Sequence, residues 1–275
     1  MKKKATQSCG VASSQEYKVQ RWRHGELTST TDQLAEEVPV ALMYNGVSHA
    51  VMLATPEDLE DFALGFSLTE GILKGKSELY DIEVQQQDEG IELHLDIASE
   101  RFVQLKERRR SMAGRTGCGL CGAESLTQVF QLPDADVRQI VQSKIKVSSI
   151  FKAQDDIRSL QTLQQLTGAT HACAWADEMG NILTVREDVG RHNALDKLLG
   201  ALLKQGVQGG FILTSSRASY EMVQKVAMTG FNVLAAISAP TGLAVRIAEE
   251  YNITLLGFVR DQQYVAYSHV NRIIV

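Results

Sequence analysis

Apolar and polar positions follow two periods along this chain, and the change from one to the other divides it. Two apolar runs, 38–44 and 47–53, flank Asn45-Gly46. Both turn residues tolerate positive φ, so the pattern predicts a tight β-hairpin. Thr55-Pro56-Glu57-Asp58 then reads as an N-cap, a first-turn proline and first-turn acids. It predicts a helix over 56–70 that buries Leu59, Phe62, Ala63 and Phe66 and stops at Gly71. Strands are expected at 82–86 and 91–97, while residues 1–16, small and polar, predict a mobile tail.

The second half alternates with a longer beat. A helix is expected over 136–165 with a break near Val147-Ser148-Ser149, and strands 172–176 and 181–186 pair across the turn 177–180. Helical spacing puts Ala194, Leu195, Leu198, Leu199 and Leu202 on one face. Strands at 210–215, 233–238 and 253–259 then alternate with helices at 219–229 and 241–251. Such a series implies right-handed crossovers and a parallel sheet covered on both faces. The expected organisation is a tail (1–16), a small α+β domain (17–135) and a three-layer αβα domain (136–275). No internal sequence repeat or low-complexity segment stands out.

Composition narrows the class. A hydrophobic share of 44% with 22% charged residues is that of a soluble globular protein. The net charge of −5 gives no global reason for nucleic-acid binding. No stretch approaches the roughly 18 apolar residues of a membrane span. Lys2-Lys3-Lys4 is not followed by an apolar region, so a cytoplasmic location is expected.

In an open α/β sheet, ligands bind beyond the carboxyl ends of the strands, where helix N-termini present free N–H groups. Four stretches fall there: Glu187 to His192, Ser215 to Ser219, Ser238 to Thr241, and Phe258-Val259-Arg260-Asp261-Gln262-Gln263. Arg191, His192, Ser216 and Arg217 make this edge a candidate site for a phosphate-bearing ligand. His171 begins an apolar strand and reads as a core histidine. Glu187 and Asp188, adjacent on a strand, would point to opposite faces, so at most one meets a common ligand. Neither a P-loop nor a dinucleotide fingerprint is present.

Among four cysteines, Cys9 lies in the tail and Cys173 in an apolar strand, where a buried thiol is expected. Cys118 and Cys121 sit in Gly114-Arg115-Thr116-Gly117-Cys118-Gly119-Leu120-Cys121-Gly122, too glycine-rich for helix or strand. The spacing admits half a zinc site, a dithiol redox pair or a persulfide carrier. Zinc would need two more ligands, and no second pair exists. A redox pair should open a helix after an early strand. Arg108, Arg109, Arg110 and Arg115 nearby would favour thiolate at Cys118.

These residues carry a resemblance. Glu36-Glu37-Val38-Pro39-Val40-Ala41-Leu42, Phe62-Ala63-Leu64-Gly65-Phe66, the glycine-flanked cysteine pair, Glu187 through Lys197 and Ser215 through Met222 are similar, in order, to the formate dehydrogenase accessory sulfurtransferases of the FdhD/NarQ family. The resemblance implies a C-terminal half similar to the cytidine deaminase fold, without deaminase chemistry, since Gly117 replaces the proline of P-C-x-x-C and the cysteines precede the deaminase-like half. It also implies persulfide transfer from an L-cysteine desulfurase to the molybdenum (or tungsten) bis-guanine-dinucleotide cofactor of formate dehydrogenase. On it, Cys118 looks like the persulfide bearer and Cys121 a supporting or second carrier. The cofactor contacts fall on Phe258, Val259, Arg260, Asp261, Gln262 and Gln263, where the expected turn glycine is missing. Arg110 and Arg115 would attract its phosphates. No resident metal is expected, and a homodimer is. The rivals are a cofactor-holding chaperone without catalysis and a zinc-stabilised interaction module.

Overall fold

Two β-sheets lie on opposite sides of a shared layer of helices. The structure, a computed structural model, describes residues 11–111 and 143–275. Cys9, Cys118, Cys121 and Arg115 lie outside the described residues, as does the side chain of Arg110.

Strands β1 (Ser14–Arg23) and β2 (Glu26–Ala35) form a two-stranded hairpin across His24-Gly25, both at positive φ. Residues 14–16, expected in the tail, instead open a strand whose polar residues on both faces hide it from any apolar period, and residues 1–10 lie outside the described residues. The predicted hairpin follows as β3 (Val38–Tyr44) and β4 (Val47–Ala54), with Asn45 and Gly46 in the left-handed region. Helix α1 (Leu59–Thr69) and strands β5 (Leu79–Gln87) and β6 (Gly90–Ile97) come next, and α2 (Ser99–Ser111) ends this half. The arginine run thus occupies the last turns of a helix rather than opening a loop. The four-stranded sheet runs β4-β3-β6-β5. Its inner face, with Val40, Leu42, Tyr44, Leu93 and Leu95, is buried under Phe62 and Phe66 of α1 and Leu105 of α2.

Helix α1 starts three residues later than the Thr-Pro signal predicts. Asp58, left-handed at φ 52°, precedes its first turn. Thr55 is held elsewhere: its N–H donates to Asp188 (3.0 Å), and its hydroxyl accepts from the Val189 N–H (3.1 Å). A distant contact has displaced a local cap.

Beyond the undescribed segment come β7 (Ile145–Lys146), α3 (Val147–Leu160) and α4 (Thr162–Thr167). The described part of the long predicted helix is therefore two helices, entered from an extended pair at 145–146. Strands β8 (His171–Ala176) and β9 (Ile182–Asp188) form the predicted antiparallel pair. Then α5 (Arg191–Gln205), β10 (Phe211–Thr214), α6 (Tyr220–Met228), β11 (Val233–Ala236), α7 (Gly242–Glu250) and β12 (Thr254–Arg260) alternate. The chain closes with β13 (Gln263–Ser268) and β14 (Ile273–Ile274), the latter parallel to β7.

The six-stranded sheet runs β13-β12-β11-β10-β8-β9. Of its neighbouring pairs, β10–β11 and β11–β12 are parallel, and β12–β13, β10–β8 and β8–β9 are antiparallel. The expected parallel sheet is therefore a mixed one. Short turns join β8 to β9 and β12 to β13, and so short a link permits only antiparallel pairing. Helices α5, α6 and α7 cover one face, and α3 with β7 covers the other, so three layers are present.

Helices α1 and α5 meet backbone to backbone. A Cβ on Gly65 would lie 1.8 Å from the Asp196 carbonyl oxygen, and one on Gly200 2.0 Å from that of Asp61. Around this crossing the halves are joined by buried ions. Lys197, fully buried, binds Asp188 at 2.7 Å and donates to the Thr55 carbonyl at 2.9 Å. Lys225 binds Asp196 (3.0 Å), Thr69 (2.9 Å) and Glu70 (3.1 Å). Burial opposes its ammonium, but Asp196 and Glu70 outweigh burial and hold its pKa above the ordinary lysine value. Arg186 reaches Asp61 at 2.6 Å.

Candidate functional site at the carboxyl edge of the six-stranded sheet

The loops after β10 and β11 share one local shape: strand, two-residue bend, isolated bridge residue, helix. The bridge residues, Ala218 and Pro240, pair with each other, and the Thr241 N–H donates to the Ala218 carbonyl. Thr241 caps α7 through its hydroxyl, which accepts from the Ala244 N–H. After β12, the Phe258 N–H donates to the Ser238 carbonyl at 3.3 Å. Three successive loops are thus stitched into one rim. Here α5, α6 and α7 begin, so the positive ends of their dipoles face the same edge.

Cations gather on this rim. Arg191 opens α5, and Arg217 lies in the loop after β10. Because β8 runs antiparallel to β10, its first residue, His171, reaches the same edge. Burial lowers the His171 pKa, and Arg191 and His192 lower it further. Burial and then Arg217 lower the Arg191 pKa, against the pull of Glu221. The Arg191 Nε is buried and has no hydrogen-bond partner. His192 Nε2 lies 2.9 Å from a Glu221 oxygen and 3.1 Å from the Ser219 hydroxyl. That hydrogen bond is the main reason the Glu221 carboxyl sits below its ordinary value, although burial opposes it. With its Nε2–H directed at Glu221, the imidazole keeps Nδ1 for another partner. Four cationic or protonatable groups against one carboxylate, beside three helix N-termini, suit an oxyanion such as phosphate.

The structure brings Arg191, His192 and Arg217 together as expected, and adds His171 and Glu221. His171, expected in the core, is half-buried at the rim, because the strand it opens begins there. Ser216 is turned inward: its hydroxyl donates to the Arg217 carbonyl (2.8 Å) and contacts Thr214 (3.0 Å), so it shapes the loop. Glu187 and Asp188 are buried as well. The Glu187 carboxylate accepts from the N–H groups of Leu163 and Gln164 (2.9 and 2.8 Å), and Asp188 accepts from Gly190 and Asn193.

Phe258 to Gln263 occupy the β12–β13 turn. Val259 is fully buried on the α3 face, and the Arg260 guanidinium lies 5.8 Å from the Phe258 ring centre. This turn sits two strands from β10, about 10 Å along the rim at ordinary strand spacing. Asp261 and Gln262 have φ of 53° and 55°, the geometry of a two-residue hairpin turn that glycine normally eases. Gln262→Gly should therefore raise stability by about 1 kcal/mol, read as a higher midpoint in urea unfolding. An unchanged midpoint would show the turn to be unstrained.

Among the described residues, no cluster of three or more metal-ligating side chains occurs and no helix is long and apolar enough to cross a membrane. Compared with known proteins, residues 35–274 match the FdhD/NarQ family. The chain is 59% identical to the sulfur carrier protein FdhD of Cupriavidus necator over 94% of its own length and 89% of that protein's. It is 52% identical to that of Bordetella bronchiseptica over 93% of each chain. A crystal structure of a candidate formate dehydrogenase accessory protein from Desulfotalea psychrophila shares the fold, with a TM-score of 0.74 at 20% identity, over 96% of this chain and all of that one.

Proposed function

The chain belongs to the FdhD/NarQ family, and from that premise we propose that it is a sulfurtransferase serving formate dehydrogenase maturation. It takes persulfide sulfur from an L-cysteine desulfurase and passes it to the molybdenum or tungsten bis-guanine-dinucleotide cofactor, bound as substrate. The Cys118 thiolate attacks the outer sulfur of the donor persulfide; a new S–S bond forms at Cys118, and the donor cysteine leaves as thiolate. Cys121 is the second thiol of the pair.

The observation that carries the acceptor half of this reading is the rim itself: Arg191 gathers with Arg217, His171 and His192, only Glu221 offsets Arg191 and His192, and the Arg191 Nε is buried without a hydrogen-bond partner. A diphosphate supplies oxygens for these donors. The Phe258 to Gln263 turn, about 10 Å away, is within reach of the base at the other end of such a nucleotide. Calorimetric titration with guanosine diphosphate, a fragment of the cofactor, tests it. Arg191→Ala with Arg217→Ala should weaken binding by about 10- to 100-fold, the loss of one or two charge-assisted hydrogen bonds. Equal affinity in wild type and variant would remove the rim from the cofactor's path.

A further inference from the structure

One carboxylate among the rim's cations works against the anion they attract. Glu221 lies in the first turn of α6, 36% exposed, 2.9 Å from His192 Nε2 and near enough to Arg191 to act on its charge. Its other neighbours are committed or uncharged. Lys225, one turn further along α6, is already bound to Asp196, Thr69 and Glu70. The Tyr220 hydroxyl, 3.4 Å away, brings a dipole and no charge.

The charge of the rim near neutrality follows. Arg191 and Arg217 are permanent cations. His171 adds little, since burial, Arg191 and His192 all push its pKa below the ordinary histidine value. His192, even when protonated, is matched by Glu221, whose carboxyl that hydrogen bond holds below its own ordinary value. What remains is the charge of the two guanidiniums. A diphosphate esterified at both ends carries one negative charge on each phosphate and matches it. A nucleoside di- or triphosphate ends in a free phosphate, whose second ionisation at about pH 6 adds a further charge. No rim cation is left to meet that charge, and Glu221 repels it. A carboxylate that weakens the binding of every anion is useful where it weakens the wrong anion more.

We propose that Glu221 is a specificity-determining residue of the rim: it admits a diphosphate diester, the linkage inside a dinucleotide, and disfavours nucleotides that end in a free phosphate, triphosphates most of all. Free guanine nucleotides share the base of the proposed cofactor, so charge is what separates them from it. Glu221 has this role only if the rim is the phosphate site proposed above.

Calorimetric titration of the full chain, at low ionic strength and without divalent metal, compares GTP with GDP-mannose, in which a sugar closes each end of the diphosphate. At about pH 7.5 a terminal phosphate is doubly ionised. Glu221→Gln removes the charge but keeps an oxygen for the His192 hydrogen bond, so a role confined to positioning His192 would leave the two affinities in their wild-type ratio. Instead the preference for the diester falls at least about tenfold, chiefly through tighter GTP binding, the effect of losing one like-charge contact. Glu221→Asp, which keeps the charge, retains most of the preference. Glu250→Gln removes an equal charge from the exposed far end of α7 and leaves the ratio unchanged. Circular dichroism shows that each variant is folded. A ratio that does not move in Glu221→Gln, or moves equally in Glu250→Gln, overturns the proposal. A wild type that binds neither nucleotide removes the phosphate reading of the rim itself, and the role of Glu221 with it.

Discussion

With Cys118 replaced by alanine, the protein incubated with a cysteine desulfurase and labelled cysteine acquires no thiol-labile sulfur at that position, and transfer falls by about 100-fold or more. A trans-persulfidation step has no substitute for its nucleophile, so the loss is in the chemistry and not in binding. Guanosine diphosphate affinity of the variant therefore stays at the wild-type value. The internal control is Cys173: it is fully buried, and burial pushes its thiol up to about 12, leaving almost no thiolate near neutrality. Cys173→Ala keeps full transfer. Mass spectrometry of the treated protein locates the added sulfur. Sulfur found on Cys121 alone would transfer the role to that residue, and a Cys118→Ala protein that still restored formate dehydrogenase activity in a strain lacking this protein would leave the carrier mechanism without its nucleophile. An absence of label on the wild-type protein would favour a chaperone that only holds the cofactor.

The second large effect concerns the fold. Gly65→Ala or Gly200→Ala places a methyl group about 2 Å from a backbone carbonyl oxygen of the facing helix. Neither neighbour is a side chain that can swing away, so the helices must separate, and the buried ions between the halves lose their geometry. The expected cost is about 3–4 kcal/mol, at or beyond the upper end for overpacked cores. For a chain of this size the melting temperature should fall by about 10 °C. Gly75→Ala, with extended backbone and nothing within 4 Å, is the matching control and should change little. Equal melting temperatures for the three proteins would mean that the crossing is looser than the structure shows.

Where a local rule suffices, the sequence is legible. Asn45-Gly46 identifies its hairpin, and the apolar spacing of 194–202 identifies α5 together with its buried face. The β1–β2 hairpin escapes because polar residues line both of its faces, and β13 escapes because its turn uses Asp261-Gln262 in place of glycine. In α2, Phe102, Val103 and Leu105 are the only large apolar residues in thirteen, too few to show a helical stripe. The site divides in the same way. Arg191, His192 and Arg217 could be anticipated from their place after strands. His171 could not, since its position depends on β8 running against β10, and Glu221 joins only because α6 brings it under His192. The run from Glu187 to Lys197 looks like a single functional signature, but most of it is assembly: Glu187 caps α4, Asp188 and Lys197 bind each other and Thr55, and Asp196 holds Lys225.

The bare crossing of α1 and α5 also limits how such a chain can be recombined. Each half presents there a helix with a missing side chain, and Arg186, Lys204 and Lys225 of the second half find Asp61, Glu60 and Glu70 of the first across it. A chimera that took residues up to α2 from one relative and the remainder from another would have to inherit both helices as a matched set, since two unpaired grooves and several stranded ions would otherwise face each other. For inheritance and for engineering alike, the unit that travels together is the helix pair with its ion lattice, whatever boundary the connecting segment suggests.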